Sequence, residues 1–406
     1  MVEKAPFLRS ARIGIYTGGG SSHSWLWFVD VFERLGLWDL CFLDEAAINE
    51  DALRSIDVLA VSGGDTFALA ESLGRSGAEA LRRFVCDGGL YIGSCAGAYL
   101  VMPSSKAPLN NFNLVNVKIA NLAKSLPPSL KNHDKFFVQY GCSYVFHPVR
   151  EEVRLRLESD ALFQGEEFVK APLFGGPAML PSEDGTVIAS YHSFTEKTVF
   201  LTDEEICRNT LIEKAAIVRS KLGKGCLYLF GPHLEHPLYK DANLLVGRII
   251  AAEKSVQLNN NIQAASAPPP VRSSKDLRRQ ISNARIVAGS MEFMPVKWLI
   301  GCKVYEPEKI RVFLEAMWRR LRRLERAHLS GWELDEVISK AARIVSVLRR
   351  MHTAIGEGRD ATHLAAELFP LLRECTSSFF SLYFKTLRST DIEISCDRGR
   401  LSPAAL

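Results

Sequence analysis

An α/β fold, with a mostly parallel sheet carrying helices on both faces and an all-α bundle behind it, is predicted by three observations on this 406-residue chain. Short apolar runs alternate with amphipathic stretches over residues 1–255. A polar segment ending in Pro268-Pro269-Pro270 follows, and beyond it the apolar residues recur at helical spacing.

The elements follow in order. Strands are expected over 12–17, 39–43, 56–62 and 89–93, with helices over 24–36, 66–86 and 96–102 between and after them. Later strands fall near 152–156, 185–192, 197–201, 213–219 and 225–230, and a helix covers 238–253. Because the strands bunch between 185 and 230, too close for crossover helices, that part reads as an antiparallel extension. Residues 103–137, rich in Pro, Asn, Lys and Ser, leave the sheet beside Cys95 and read as an insertion: a substrate-selecting lid or a plain surface loop. The linker spans 256–275. In the helical part, 276–406, apolar periodicity marks helices at 306–328, 332–355, 361–373 and 376–388.

Composition narrows the classes. No run of about 18 apolar residues occurs, so no membrane span is expected, and the first residues lack the apolar core of a secretion signal. Nine cysteines without Cys-x-x-Cys spacing predict reduced thiols in a cytoplasm, and neither a metal nor a cofactor site. From residue 271 onward there are 24 Lys and Arg against 16 Asp and Glu, while the chain as a whole is +4. Arg319, Arg320, Arg322, Arg323 and Arg326 concentrate that charge on one helix. With few aromatic residues interleaved, the pattern argues against nucleic acid and for docking, to a partner such as a synthetase or to a second copy.

The chemistry starts at Gly93-Ser94-Cys95-Ala96-Gly97, where an apolar strand turns into a helix. Such an elbow holds a nucleophile in a strained conformation and aims it at a pocket. A free thiol has a pKa near ~8.5, so it needs an imidazolium or a helix N-terminus to act as thiolate near neutrality. The strand at 225–230 is followed by Gly231-Pro232-His233-Leu234-Glu235, which puts His233 forward as base and Glu235 as the carboxylate that orients it. His236, His147 and His192 are the alternative bases. The strand at 56–62 ends in Gly63-Gly64-Asp65-Thr66, a turn whose Gly64 N–H, with that of Ala96, suits an oxyanion. Gly18-Gly19-Gly20-Ser21-Ser22-His23 follows the first strand and reads as a pocket-lining loop, since neither Gly-x-Gly-x-x-Gly nor Gly-Lys-Ser/Thr is present. Phe174-Gly175-Gly176-Pro177 reads as a packing turn.

Assembled, these motifs resemble class I glutamine amidotransferase-like domains, and more closely the amidotransferase-like region at the N-terminus of biotin-protein ligases. The likeness rests on Ile13 to Gly20, Val61 to Asp65, Gly88 to Tyr99, and Gly223 to Gly225 leading to His233 and Glu235. It covers roughly residues 10–252. The resemblance implies a flavodoxin-like fold, a Cys95 nucleophile that forms a thioester, His233 and Glu235 completing a triad, and Gly63, Gly64 and Ala96 around the oxyanion. It also implies a carboxamide or peptide amide substrate, bound near Asp65 and Tyr99, with ammonia passed to a partner. Two departures leave the substrate open: Asp65-Thr66 stands where glutamine-hydrolysing members continue with Pro and Gly, and no Gln follows the elbow glycine. The second reading is a non-catalytic binding or regulatory module that keeps the amidotransferase shell.

Overall fold

The structure, a computed structural model, describes residues 11–123, 144–158, 165–254, 272–301, 303–324 and 331–399. Most of the expected linker, and residues 124–137 of the expected insertion, lie outside the described residues. The chain forms two compact units.

The chain up to residue 254 is built on a sheet. Strands β1 (Ile13–Tyr16), β2 (Leu40–Leu43), β3 (Val58–Val61) and β4 (Leu90–Ser94) alternate with helices α1 (Trp25–Arg34), α2 (Glu45–Asn49), α3 (Thr66–Cys86) and α4 (Ala96–Leu100). Three short strands and the long β6 come next: β5 (Val117–Ile119), β6 (Val149–Leu157), β7 (Phe168–Leu173) and β8 (Met179–Pro181). Then come β9 (Gly185–Phe194), β10 (Val199–Phe200), α5 (Glu204–Leu211), β11 (Ala215–Leu222), β12 (Gly225–Phe230) and α6 (Lys240–Lys254). The sheet order is β10-β6-β9-β11-β12-β4-β3-β1-β2. Its right-hand portion, β12-β4-β3-β1-β2, has the flavodoxin-like order 2-1-3-4-5 when read from the β2 edge, and β1, β3, β4 and β12 run parallel. Strands β1, β3 and β4 are buried throughout, which is why they read as continuous apolar runs.

From β12 leftward the pairing turns antiparallel, as the bunched strands predicted. Strand β7, paired with β6, was not expected, because Lys170 and Pro172 break its apolar pattern. The span of α3 coincides with the expected 66–86, but instead of one unbroken helix the backbone kinks at Gly74 (φ 61°, ψ −167°), a conformation glycine permits. Its start is capped by Asp65, whose Oδ1 accepts from the N–H groups of Phe67 (3.0 Å) and Ala68 (3.2 Å).

The second unit takes in helices α7 (Arg272–Met291), α8 (Pro307–Leu324), α9 (Gly331–Gly356) and α10 (Thr362–Gly399). Two helices were expected at 361–373 and 376–388; a single helix runs through both, with Pro370 inside it. Phe369, Leu372, Cys375, Thr376, Phe379 and Phe380 are all buried, so packing carries the helix across the polar Thr376-Ser377-Ser378 run. The arginine run is not a uniform solvated face. Arg320 is buried, donates to the Ala316 carbonyl at 3.1 Å and lies over the Phe380 ring, while Arg323 reaches the Tyr383 hydroxyl at 3.1 Å.

Candidate active site

Four turns meet at the C-terminal edge of the parallel strands, where open α/β sheets bind ligands. Those after β1 and β3 are tied together: Ser22 N–H donates to the Gly63 carbonyl (3.0 Å), Asp65 N–H to that of Gly20 (2.8 Å), and Ser24 Oγ to that of Gly63 (3.2 Å). Neither Gly64 N–H nor Ala96 N–H is spent in these bonds. The Asp65 carboxylate caps α3 through Oδ1.

Cys95 is the hinge between β4 and α4, at φ 53° and ψ −106°, a conformation that costs a non-glycine residue about 1–3 kcal/mol. Its N–H donates to the Phe230 carbonyl at the end of β12 (2.9 Å), and its own carbonyl accepts from Ala98 and Tyr99, starting the helix. A Cβ at Gly97 would collide with the Val61 carbonyl, so only glycine lets α4 sit this close to β3. The thiol is partly exposed.

The turn after β12 delivers the other two groups. His233 and Glu235 are both buried, and His233 Nδ1 lies 2.6 Å from Glu235 Oε1. The second carboxylate oxygen, Oε2, accepts from Ser94 Oγ at 3.0 Å, and the same hydroxyl is 3.3 Å from His233 Nδ1. The His233 backbone is pinned too, its N–H donating to the Pro172 carbonyl on β7 at 2.8 Å. Burial alone would lower the pKa of His233, but the Glu235 charge and hydrogen bonds to Cys95 and Glu235 outweigh it and raise it to about 10. This imidazole therefore holds its proton in the resting site, next to the sulfur.

Of the alternative bases, His236 is pushed down to about 4 by burial and by the His233 charge, and His147 to about 4 by burial. His192, on β9, lies against the ring of Phe168 on β7. Tyr99 receives a long contact from Asn121 Nδ2 (3.5 Å), and Asn121 also ties Phe146 to Ala178. Gly176 abuts Gly231, consistent with a packing turn. Sequence reading passed over two residues here. Ser94 lay inside the motif, but its partner is 141 residues away. Trp27 reads as helix core, yet its indole meets the His233 ring edge-on, centroids 5.2 Å apart.

Residues 26–116 match Peptidase family S51, a segment that holds Cys95 and the Gly63-Gly64 turn and stops before His233. An uncharacterized peptidase of Listeria innocua serovar 6a is 34% identical over 135 residues, which is 29% of this chain. The chain spans 64% of the length of that relative. Among solved structures, a glutamine amidotransferase from Thermotoga maritima is similar at 10% identity, covering 60% of this chain and 83% of the other, with a TM-score of 0.33. A candidate GMP synthase component from Thermoplasma acidophilum is similar at 15% identity, covering 61% and 96%, with a TM-score of 0.38. The strand order and the parallel run of β1, β3, β4 and β12 make this sheet with its helices a flavodoxin-like α/β fold. Among the described residues no three or more His, Cys, Asp or Glu could hold a metal ion, and no helix is long and apolar enough to cross a membrane.

Proposed function

We propose that the chain is a hydrolase of amide bonds in which Cys95 attacks the acyl carbon, His233 shuttles the proton and Glu235 orients the imidazole. The observation that carries this reading is the strained Cys95 on the strand-to-helix turn, partnered with a His233 that a buried carboxylate keeps protonated. An imidazolium beside the sulfur favours thiolate, the nucleophilic form. Attack forms a thioester as the C–N bond breaks, with the His233 proton going to the departing nitrogen. Water then adds to the thioester, His233 takes its proton, and the acid leaves with the thiolate restored. The N–H groups of Gly64 and Ala96 would face the oxyanion, where losing one donor costs roughly 100- to 1000-fold in rate. The likeness to Peptidase family S51 and to a peptidase supports hydrolysis of an amide as the reaction class. Delivery of ammonia to a separate synthetase is the more specialised form of the same chemistry, consistent with the motif resemblance to amidotransferases.

The test is alkylation of the full chain by iodoacetamide, followed by peptide mass spectrometry, with an amide and dipeptide screen alongside. Cys95 should be modified ahead of the other cysteines, His233→Ala should slow it, and Cys95→Ala should abolish every hydrolytic activity found. Cys95 labelling no faster than that of Cys41 or Cys86, unaffected by His233→Ala, would overturn the proposal.

A further inference from the structure

We infer that the amine side of the substrate is a flat aromatic group seated on a wall of Trp27, Phe174 and His236 beside the His233 imidazole. This rests on the reading of Cys95 and His233 as an acyl-transfer pair. The Trp27 indole gathers its neighbours edge-on: His233 at 5.2 Å and 89°, His236 at 4.5 Å and 64°, and His23 at 5.2 Å and 88° between centroids. Phe174 closes the group, 6.2 Å from Trp27, 5.7 Å from His233 and 6.1 Å from His236. Within this cluster His233 is buried, while Trp27, Phe174 and His236 are half-buried residues at the sheet edge.

Position gives that surface its meaning. The ring that hands a proton to the leaving nitrogen is His233, so any substituent on that nitrogen passes over the residues flanking His233. Ammonia has no substituent and needs no wall. A peptide or aryl amide has one, and stacked or edge-on aromatic pairs gain beyond simple burial.

The experiment measures how small neutral aromatics slow iodoacetamide alkylation of Cys95 in the full chain. Indole and aniline should protect saturably and cyclohexanol weakly. Trp27→Leu should raise the half-protecting indole concentration about tenfold, Phe174→Leu should raise it less, and Trp27→Phe should keep most of the protection. Circular dichroism and thermal unfolding check that each variant folds; if Trp27→Leu does not, Phe174→Leu and Trp27→Phe decide. Absence of protection by indole and aniline, or protection unchanged in the folded variants, overturns this inference while selective, His233-dependent labelling leaves the site reading standing. Unselective labelling in the parent overturns both.

Discussion

Replacing Gly63 by alanine tests the geometry of the base most directly. A Cβ at this position would lie 2.8 Å from His233 Cε1, 3.4 Å from His233 Nε2 and 3.1 Å from Ser24 Oγ. Carbon atoms settle about 3.5–4.0 Å apart, so the imidazole must withdraw by roughly 0.7–1.2 Å. It has little room, because Nδ1 is held 2.6 Å from Glu235 and the Trp27 and Phe174 rings stand against the same imidazole. Overpacking of this kind costs about 1–3 kcal/mol, or some 2–9 °C in Tm at about 2–3 °C per kcal/mol for a unit of this size. A displacement near 1 Å costs about 100-fold in a positioned reaction. Thermal unfolding and the second-order rate of Cys95 alkylation are the two readouts. Gly63→Ala should lose stability and fall toward the alkylation rate of His233→Ala. Wild-type values of both would show that the His233 ring does not stand against this turn.

Three further outcomes are expected. His233 has a folded pKa near 10, above its ordinary 6.5, so its contribution to stability is fully present below about pH 6.5 and lost as pH rises through 10. The Tm gap between parent and Glu235→Gln should therefore be widest near pH 6.5 and narrow toward pH 10; a gap that widens with pH contradicts the pairing. Cys95→Gly should be more stable than Cys95→Ala by about 1 kcal/mol in denaturant unfolding, because φ 53° strains alanine and not glycine; equal midpoints would remove the strain argument. Asp65→Ala should cost about 1 kcal/mol through loss of the α3 cap and leave Cys95 alkylation unchanged. If stability holds but substrate turnover collapses, Asp65 binds substrate.

Legibility differed by element for physical reasons. The 66–86 helix carried its own cap and periodicity, and the 225–230 strand its continuous apolar run, so both could be placed from local pattern. The motifs placed Cys95, His233 and Glu235 at strand ends, and the fold brings all three together. What local pattern lacked was the partner across the sheet. Pro172 argues against a strand, yet β7 exists because β6 pairs with it, and the Pro172 carbonyl then anchors His233. Trp27 has ordinary core spacing on α1; only the turn after β12 turns its indole into a neighbour of the base. Likewise the expected gap between helices at 373 and 376 is bridged, because Leu372, Cys375 and Thr376 are all buried and packing carries one helix through.

The hydrogen bond from Ser94 to Glu235 spans 141 residues of chain. On the ribosome the thiol therefore emerges long before its acid-base partners, and the long-range pairing of β4 with β12 must form before the two meet. A nascent or truncated chain ending ahead of β12 would carry Cys95 without His233 and Glu235. On the mechanism proposed above, the site would therefore be complete only once the last parallel strand docks.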